Sequence, residues 1–224
     1  ALVLGVAAIT VLLSPSYLRA NGMERGEYYA LLLFSTVGML GLVSSLELVS
    51  LFVALEIMSI ALYGMAGLHR GRPRSQESAL KYFVTGAFAS AFFLYGIALL
   101  YGATGSTSLE KIARSVSVLS PGALPLAVLG VALLLVGFGF KVASVPFHMW
   151  APDVYEGAPT TVTGFMSAGV KAAAFGALLR VFESALPGLA SHWQPLVGVL
   201  AIVSMVAGNL ADLAQESLKR MIAS

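Results

Sequence analysis

The chain has 224 residues, of which 58% are hydrophobic and only 11% are charged, and its formal net charge is +2. Soluble domains carry about 25% charged residues, and a globule of this size has too little interior to bury so much apolar surface. The composition therefore excludes an ordinary soluble domain and indicates a membrane protein. The absence of cysteine excludes a disulfide framework and a thiolate metal site.

Apolar stretches recur along the whole chain. A membrane-spanning helix needs about 20 mostly apolar residues. Residues 1–14 are predicted to be the end of one span, a further helix is expected to start near Glu216, and six fuller spans are predicted at 28–46, 48–68, 78–101, 123–148, 159–183 and 195–214. The predicted fold class is an all-α polytopic membrane protein with about six full spans plus partial ones. Because the chain starts without Met and ends soon after a charged stretch, we expect it to be an excerpt of a longer protein.

Basic residues are distributed unevenly between the two sets of predicted loops. Loops 102–122 and 184–194 hold few basic residues, whereas the loops on the other side and their flanks hold Arg19, Arg25, Arg70, Arg72, Arg74, Lys81, Lys219 and Arg220. By the positive-inside rule, the basic side, which includes loops 69–77 and 149–158, is predicted to be cytoplasmic. The alternation requires a tight turn between residues 46 and 48. A bacterial plasma membrane is the expected location, and in an organelle the basic side would face the matrix.

Three ionisable residues, Glu56, Lys141 and Lys171, lie well inside predicted spans. A charge at the bilayer centre costs about 2.5–3.5 kcal/mol, so such residues face other helices or water and are often functional. A carboxylate and two ammonium groups on neighbouring helices can compensate one another, and a lysine in such a setting can relay protons. The alternative is that the charges only fix helix packing. Lys81 and Glu47 lie near span ends, where they can also reach the membrane surface by snorkelling.

The sequence after Lys141 predicts an interrupted helix. Pro146 lacks an N–H group and clashes with the carbonyl four residues back, which is that of Val142. Broken helices at membrane depth are common at ion sites in transporters. If the kink is mild, His148 lies on nearly the same face as Lys141 and is a candidate to carry a proton onward. The alternative is an ordinary interfacial histidine.

Hydroxyl side chains lead toward Lys171 on the next predicted helix. Thr160, Thr163 and Ser167 recur at three- and four-residue spacing before this lysine, so they could line a hydrated path. Alternatively, each hydroxyl bonds its own helix or joins two helices. The sequence contains no glycine-rich phosphate loop, haem-spaced histidine pair or cysteine cluster, so we expect no redox centre in this chain.

Residues 140–163, FKVASVPFHMWAPDVYEGAPTTVT, resemble the signature of the subunit N family of the proton-pumping NADH:quinone oxidoreductase, respiratory complex I. The L and M subunits and the Mrp-type cation antiporters share the pattern of Lys, Pro-Phe-His-x-Trp-x-Pro-Asp and a Pro-Thr turn. The stretch VYEGAP is similar to subunit N rather than to its paralogues. Further segments resemble the same family, so the resemblance covers essentially the whole chain: LEIMS at 55–59, ALKYF at 79–83, YGATGS at 101–106, GNL at 208–210 and LKRM at 218–221.

The resemblance implies a helical bundle of two inverted five-helix repeats, each with a broken helix. Residues 1–27 would then be a partial transmembrane helix and a cytoplasmic loop, residues 28–183 the first antiporter-like repeat, and residues 184–224 the truncated start of the second. The resemblance also implies roles in proton transfer for Glu56, which tunes the key lysine, and for Lys141, which is that lysine. Lys171 would pass protons between two half-channels. Lys81 would match a further lysine, and Pro146 and His148 belong to the broken-helix motif.

The resemblance further implies the cofactors and partner subunits of the complex. It would be a non-redox subunit of a proton-translocating oxidoreductase, without a cofactor of its own, while NAD, FMN, iron–sulfur clusters and quinone belong to the rest of the complex. Its partners would be the bilayer, the antiporter-like M subunit and the small K, J and A subunits, with no nucleic acid. The alternatives are an Mrp-type cation/proton antiporter subunit, a structural assembly subunit without its own channel, and a relative of complex I with a different electron donor.

Overall fold

A computed structural model describes residues 1–215 and 217–223, and the predicted helix start at Glu216 therefore lies outside the described residues. Within the described part the chain is a bundle of helices without a strand, which confirms the all-α prediction. The helices are α1 (Leu2–Ala20), α2 (Gly26–Ser44), α3 (Leu48–Ala66), α4 (Pro73–Thr104), α5 (Leu109–Val116), α6 (Leu124–Val142), α7 (Ala151–Gly157), α8 (Thr160–Phe165), α9 (Lys171–Ala185), α10 (Ala190–Leu213) and α11 (Leu218–Ala223). A π-helical segment, Met166–Val170, joins α8 to α9, and a 3₁₀ turn, Pro187–Leu189, precedes α10.

In the part of the chain that the structure describes, seven stretches of helix are long and apolar enough to cross a membrane. They are α1, α2, α3, α4, α6, the continuous stretch Thr160–Ala185, and Pro187–Leu213. The six fuller spans of the sequence prediction are all present, and the tight turn before α3 occupies residues 45–47. The first span, predicted as 1–14, continues through Pro15 to Ala20. A proline within a membrane helix is tolerated because neighbouring groups can satisfy the freed backbone.

The prediction that a helix runs from 123 to 148 is wrong at its carboxyl end. The helix α6 ends at Val142, and Ala143 adopts a left-handed conformation with φ 58°. The amide of Ser144 donates to the carbonyl of Gly139 at 2.9 Å, and the amide of Ala143 donates to the carbonyl of Phe140 at 3.2 Å. This pattern is a Schellman motif, which ends the helix four residues before the proline.

Two short helices lie in segments predicted as loops. The helix α5 lies within the predicted loop 102–122, and α7 lies within the predicted loop 149–158. The helix α5 buries Leu109, Ile112 and Val116 on one face and leaves its charged residues exposed. Both helices therefore cap the bundle at its ends rather than crossing the membrane.

Small residues bring the long helices into backbone contact. A Cβ atom on Gly96 of α4 would lie 2.8 Å from the carbonyl oxygen of Gly130 in α6, so only glycine permits this approach. Such close packing is typical of membrane helices. The α4–α6 contact matters because these two helices, together with α3, enclose the interior lysine of α6.

The loops gather at two opposite ends of the bundle. At one end, which we call the Lys81 end, the Nζ atom of Lys81 lies 2.7 Å from an oxygen of Asp153 in α7. At the other end, the Glu47 end, the carboxylate of Glu47 accepts a hydrogen bond of 2.6 Å from Thr107. The Lys81 end contains the segments rich in basic residues, in agreement with the alternation of the predicted loops.

Candidate functional site

Lys141 lies in the last turn of α6 and is buried, with 3% of its surface exposed. Its Nζ atom donates a hydrogen bond of 2.7 Å to the hydroxyl of Ser59 in α3. The Ser59 hydroxyl in turn donates to the carbonyl of Leu55, one turn earlier in the same helix. The lysine is thus held by a polar group on a neighbouring helix, as a charge inside a membrane requires.

Three aromatic rings surround the ammonium group of Lys141. The Nζ atom lies 5.7 Å from the ring centroid of Tyr63, 5.9 Å from that of Tyr82 and 5.3 Å from that of Phe140. A cation within about 6 Å of such a ring is attracted by the negative face of its π system. This aromatic cage stabilises the protonated lysine without placing a full negative charge against it.

Glu56 lies one turn before Ser59 on α3 and is partly buried. Its Oε1 atom accepts a hydrogen bond of 2.5 Å from the hydroxyl of Ser90 in α4. Within the described residues, Glu56 and Lys141 form no direct ion pair. The carboxylate is nevertheless close enough to act electrostatically on the ammonium group. The structure therefore brings Glu56 and Lys141 into one site, in which each is hydrogen-bonded to a different serine.

The break after α6 is fixed by side chains from two directions. The indole Nε1 of Trp150 donates to the carbonyl of Phe140 at 3.1 Å, and its ring stacks on Tyr82 at 4.5 Å between centroids. On the other side, the amide of Val145 donates to the hydroxyl of Ser204 in α10 at 2.9 Å. The carbonyls of Gly139 and Phe140 in the last turn of α6 are thus satisfied by the Schellman motif and by Trp150. Pro146 lies in the following turn rather than within the helix.

The expected helical register between Lys141 and His148 is wrong because α6 ends at Val142. His148 lies in the turn that precedes α7, and it is partly buried. Its Nδ1 atom is buried without a hydrogen-bond partner among the described residues. The structure therefore removes the geometric argument for a relay from Lys141 along one helix face to His148.

Lys171 begins α9, directly after the π-helical segment. Its side chain is partly buried, and its Nζ atom lies 5.8 Å from the ring centroid of Tyr155. It lines a cavity of about 370 Å³ between α6, α9 and α10, which also reaches Gly139 and Ser144 at the break. Within the described residues it makes no side-chain hydrogen bond or ion pair.

The predicted hydroxyl stripe before Lys171 bonds mainly to nearby backbone. The hydroxyl of Thr163 donates to the carbonyl of Tyr155 at 3.0 Å, and that of Ser167 donates to the carbonyl of Gly164 at 3.0 Å. The π-helical segment also changes the register between these hydroxyls and the lysine. These contacts favour the alternative in which each hydroxyl bonds its own helix or joins two helices.

Lys81 lies at one end of the bundle in a cluster of charges. It forms ion pairs of 2.7 Å with Glu77 and with Asp153, and Asp153 also accepts from Arg220 at 2.9 Å. The hydrogen bond from Lys81 and the charge of Arg220 hold the pKa of the Asp153 carboxyl below its ordinary value. The cluster lines a polar cavity of about 510 Å³ that also contains Arg74. It joins α4, α7 and α11.

Sequence reasoning missed Ser59 and Ser90 as parts of the site, and it missed Tyr63 and Tyr82. A signal was present, since Glu56, Ser59 and Tyr63 follow one another at three- and four-residue spacing on one helix face. Their contacts with Lys141 depend on how α3, α4 and α6 pack. That packing is a tertiary feature that no local pattern specifies.

The fold and the site define a class of protein: a polytopic membrane protein with an antiporter-like fold, in which a helix is interrupted beside a buried lysine. Residues 45–224 match the family described as NADH:quinone oxidoreductase/Mrp antiporter, TM, and the chain belongs to that family. The matched residues include all three helices that enclose Lys141.

Individual relatives confirm the resemblance to subunit N. The NADH-quinone oxidoreductase subunit N of Moorella thermoacetica is 49% identical over 222 residues, which are 99% of this chain and 46% of that relative. A chain of the respiratory complex I from Thermus thermophilus with bound aureothin is 46% identical, with a TM-score of 0.75 over 98% of this chain and 48% of that one. A chain of the Mrp complex from Dietzia sp. is 26% identical, with a TM-score of 0.81 over 99% of this chain and 41% of that one. The chain thus spans about half the length of these relatives.

Proposed function

We propose that this chain is part of a membrane-embedded proton-translocating subunit of NADH:quinone oxidoreductase, in which Glu56, Lys141 and Lys171 relay protons. The single observation that carries the proposal is Lys141 itself. It is buried among three candidate membrane spans, it is neutralised by no direct ion pair among the described residues, and the helix that carries it ends one residue later. A charge that only fixed packing would be expected beside its counter-charge, because an unpaired buried charge is costly.

The arrangement suggests how a proton is handled. The aromatic cage and Ser59 bind the ammonium form, and the nearby Glu56 carboxylate adds a favourable charge interaction whose strength depends on its own protonation and position. Pairwise electrostatic energies are larger at low dielectric than in water. A small movement of Glu56 between Ser90 and Lys141 would therefore change how firmly Lys141 holds its proton.

The onward step is proposed to run to Lys171. The cavity that contains Lys171 is lined by Gly139 and Ser144, which flank the end of α6 close to Lys141 in sequence. This cavity gives the lysine of α9 access to the break. In this proposal Lys81 and its charge cluster lie at the entrance of the proton path, on the basic side of the bundle. The chain would lie in the plasma membrane of a bacterium, with the segments 69–77 and 149–158 facing the cytoplasm.

The rest of the complex supplies the redox chemistry in this proposal. NAD, FMN, iron–sulfur clusters and quinone would be bound by other subunits, and this chain would contribute no cofactor. Its proposed neighbours in the membrane are the antiporter-like M subunit and the small K, J and A subunits. Residues 28–183 are proposed as the first five-helix repeat, preceded by a partial segment at 1–27 and followed at 184–224 by the start of the second.

The test places Lys141→Ala in the full-length subunit and verifies assembly of the complex on a native gel. NADH-to-quinone electron transfer and proton pumping are then measured in the same membrane vesicles. Both activities are expected to fall sharply in the assembled complex. A matched control is Lys111→Ala, since Lys111 is an exposed lysine on α5 at the Glu47 end. If Lys141→Ala assembles and both activities stay at the wild-type level, the proposal is wrong and a structural role remains.

The match to the Mrp complex favours one second candidate, a cation/proton antiporter subunit. Hard cations such as Na⁺ are bound by several oxygen ligands, whereas the interior of this chain presents Lys141 and Lys171, which repel a cation. Transport in vesicles at constant pH, measured with and without Na⁺, distinguishes the two candidates. Independence from Na⁺ supports proton transfer alone, and a Na⁺-dependent rate supports the antiporter.

A further inference from the structure

Two tyrosine hydroxyls at the Lys141 site have no hydrogen-bond partner among the described residues. The Oη atoms of Tyr63 and Tyr82 are both buried, and neither forms a hydrogen bond within the described residues. Buried polar groups in proteins are almost always hydrogen-bonded, either to protein or to ordered water, because leaving one unsatisfied costs free energy. Phenylalanine would form the same aromatic cage at both positions without that cost.

The two hydroxyl-bearing rings are in direct contact with each other. Tyr63 of α3 and Tyr82 of α4 pack edge to face, with centroids 4.7 Å apart and an interplanar angle of 89°. Gly86, one turn after Tyr82, makes room for the hydroxyl of Tyr63, because a Cβ atom at Gly86 would lie only 2.1 Å from that oxygen. The packing of α3 on α4 therefore accommodates the oxygen of Tyr63 specifically.

The tyrosines lie between the charged end of the bundle and the lysine. Tyr82 directly follows Lys81, which is exposed in the charge cluster with Asp153. Tyr63 follows Ser59 by four residues on α3, a rise of about 6 Å toward the same end of the bundle. Both rings contact the ammonium group of Lys141. Tyr82 thus connects the two lysines, since it adjoins Lys81 in the chain and its ring contacts the ammonium group of Lys141.

We infer that Tyr63 and Tyr82, bridged by ordered water, form the relay through which protons reach Lys141 from the Lys81 end. This inference rests on the proposed function and adds two relay residues to it. In each transfer a hydroxyl oxygen accepts a proton from the water on one side while its own proton passes to the acceptor on the other side. The phenol is unchanged, and the net result is one proton added to the neutral amine of Lys141.

The test separates the hydroxyls from the rings. Tyr63→Phe and Tyr82→Phe, each in the full-length subunit of the assembled complex, retain the aromatic cage and remove one oxygen. Coupled electron transfer and proton pumping are expected to fall roughly tenfold or more in each variant, in line with the loss of a positioned proton-transfer group. Tyr95→Phe is the control, since Tyr95 is an exposed tyrosine of the same helix and is expected to be neutral.

Lys141→Ala is measured in parallel so that two failures can be told apart. If Lys141→Ala loses activity while both phenylalanine variants pump at the wild-type rate, the tyrosines serve only as rings and the inference is wrong, but the proposed function stands. If Lys141→Ala also pumps normally, the proposed function itself is wrong. A high-resolution experimental map of the assembled complex gives an independent check: water density within hydrogen-bond distance of both hydroxyls supports the inference, and a dry contact contradicts it.

Discussion

The ammonium group of Lys141 donates its hydrogen bond to Ser59, 2.7 Å away, and not to the carboxylate of Glu56 one turn earlier on α3. Glu56 accepts instead from Ser90 on the opposite helix. Two serine hydroxyls thus hold apart a pair of opposite charges that would otherwise attract each other strongly at low dielectric. In this arrangement Glu56 and Lys141 are close enough to interact electrostatically, and their interaction can change with the protonation or position of either residue.

Removing the Ser59 hydroxyl is expected to impair turnover without preventing assembly. Ser59→Ala leaves the ammonium group without its acceptor on α3, and we expect it to turn toward Glu56 and form a tighter, less responsive pair. Hydrogen bonds to charged groups contribute about 1.5–3 kcal/mol, which is enough to change the occupancy of such a site. Coupled NADH oxidation and proton pumping in vesicles measure the effect.

A matched control for this variant is Ser35→Ala. Ser35 is also a fully buried serine in a membrane helix, but it lies on α2 and its hydroxyl has no partner among the described residues. It is expected to retain wild-type turnover. Equal activity of Ser59→Ala and Ser35→Ala would show that the bond to Lys141 has no functional role.

Ser90 and Glu56 are expected to behave as one unit. Ser90→Ala removes the hydroxyl that holds the carboxylate, whereas Glu56→Gln keeps an accepting oxygen but removes its charge, so each single variant weakens or removes the same charge-assisted hydrogen bond. Residues in contact show non-additive effects in a double-mutant cycle. We therefore expect the double variant to lose little more coupled activity than Glu56→Gln alone. Activity losses that simply add would contradict the proposed dependence of Glu56 on Ser90.

The charge cluster at the Lys81 end is expected to make stability depend on pH through Asp153. Lys81, which donates to this carboxyl, and Arg220 hold its pKa below the ordinary value of 3.8. A carboxyl with a lowered pKa stabilises the folded protein above its unfolded-state pKa, and this contribution is lost as the pH falls through the folded-state value. Asp153→Asn should therefore lower the unfolding temperature of the purified complex near pH 7, and the difference from wild type should vanish below the ordinary aspartate range.

The control for Asp153 is Glu110→Gln at the other end of the bundle. Glu110 pairs with Arg114 one turn away on α5, and both side chains are mostly exposed. Exposed pairs of this kind contribute little to stability, so the unfolding temperature should hardly change at any pH. If the unfolding temperature of Asp153→Asn lies below that of the wild type by the same amount at every pH, the carboxylate charge of Asp153 is not what stabilises the cluster.

The spans and the interior charges could be predicted from the sequence because both depend on composition over a helix length. Residues 48–68, for example, are predicted as one span, and the structure places α3 at Leu48–Ala66 with Glu56 inside it. An apolar run of that length has few alternatives in a membrane. The resemblance to the subunit N family placed Lys141 on a broken helix, and α6 ends one residue after it.

The position of the break could not be predicted from the proline alone. Pro146 indicates a kink, but the helix ends at Val142 through a left-handed Ala143, a conformation that alanine rarely adopts. Two side-chain contacts hold this segment. The indole of Trp150 donates to the carbonyl of Phe140, and the hydroxyl of Ser204 in α10 accepts from the amide of Val145. These contacts exist only once α10 and α7 have packed, and the expected register of His148 failed for that reason.

The most direct measurement of the central claim compares Lys141→Arg with wild type in the full-length subunit. Arginine retains the positive charge and can bind the aromatic rings, but it cannot release its proton in a protein. With assembly verified, the account predicts that Lys141→Arg fails to pump protons and loses coupled electron transfer as Lys141→Ala does. Wild-type pumping by the arginine variant would contradict the account, because it would show that the site needs a fixed charge and not a residue that takes up and releases a proton.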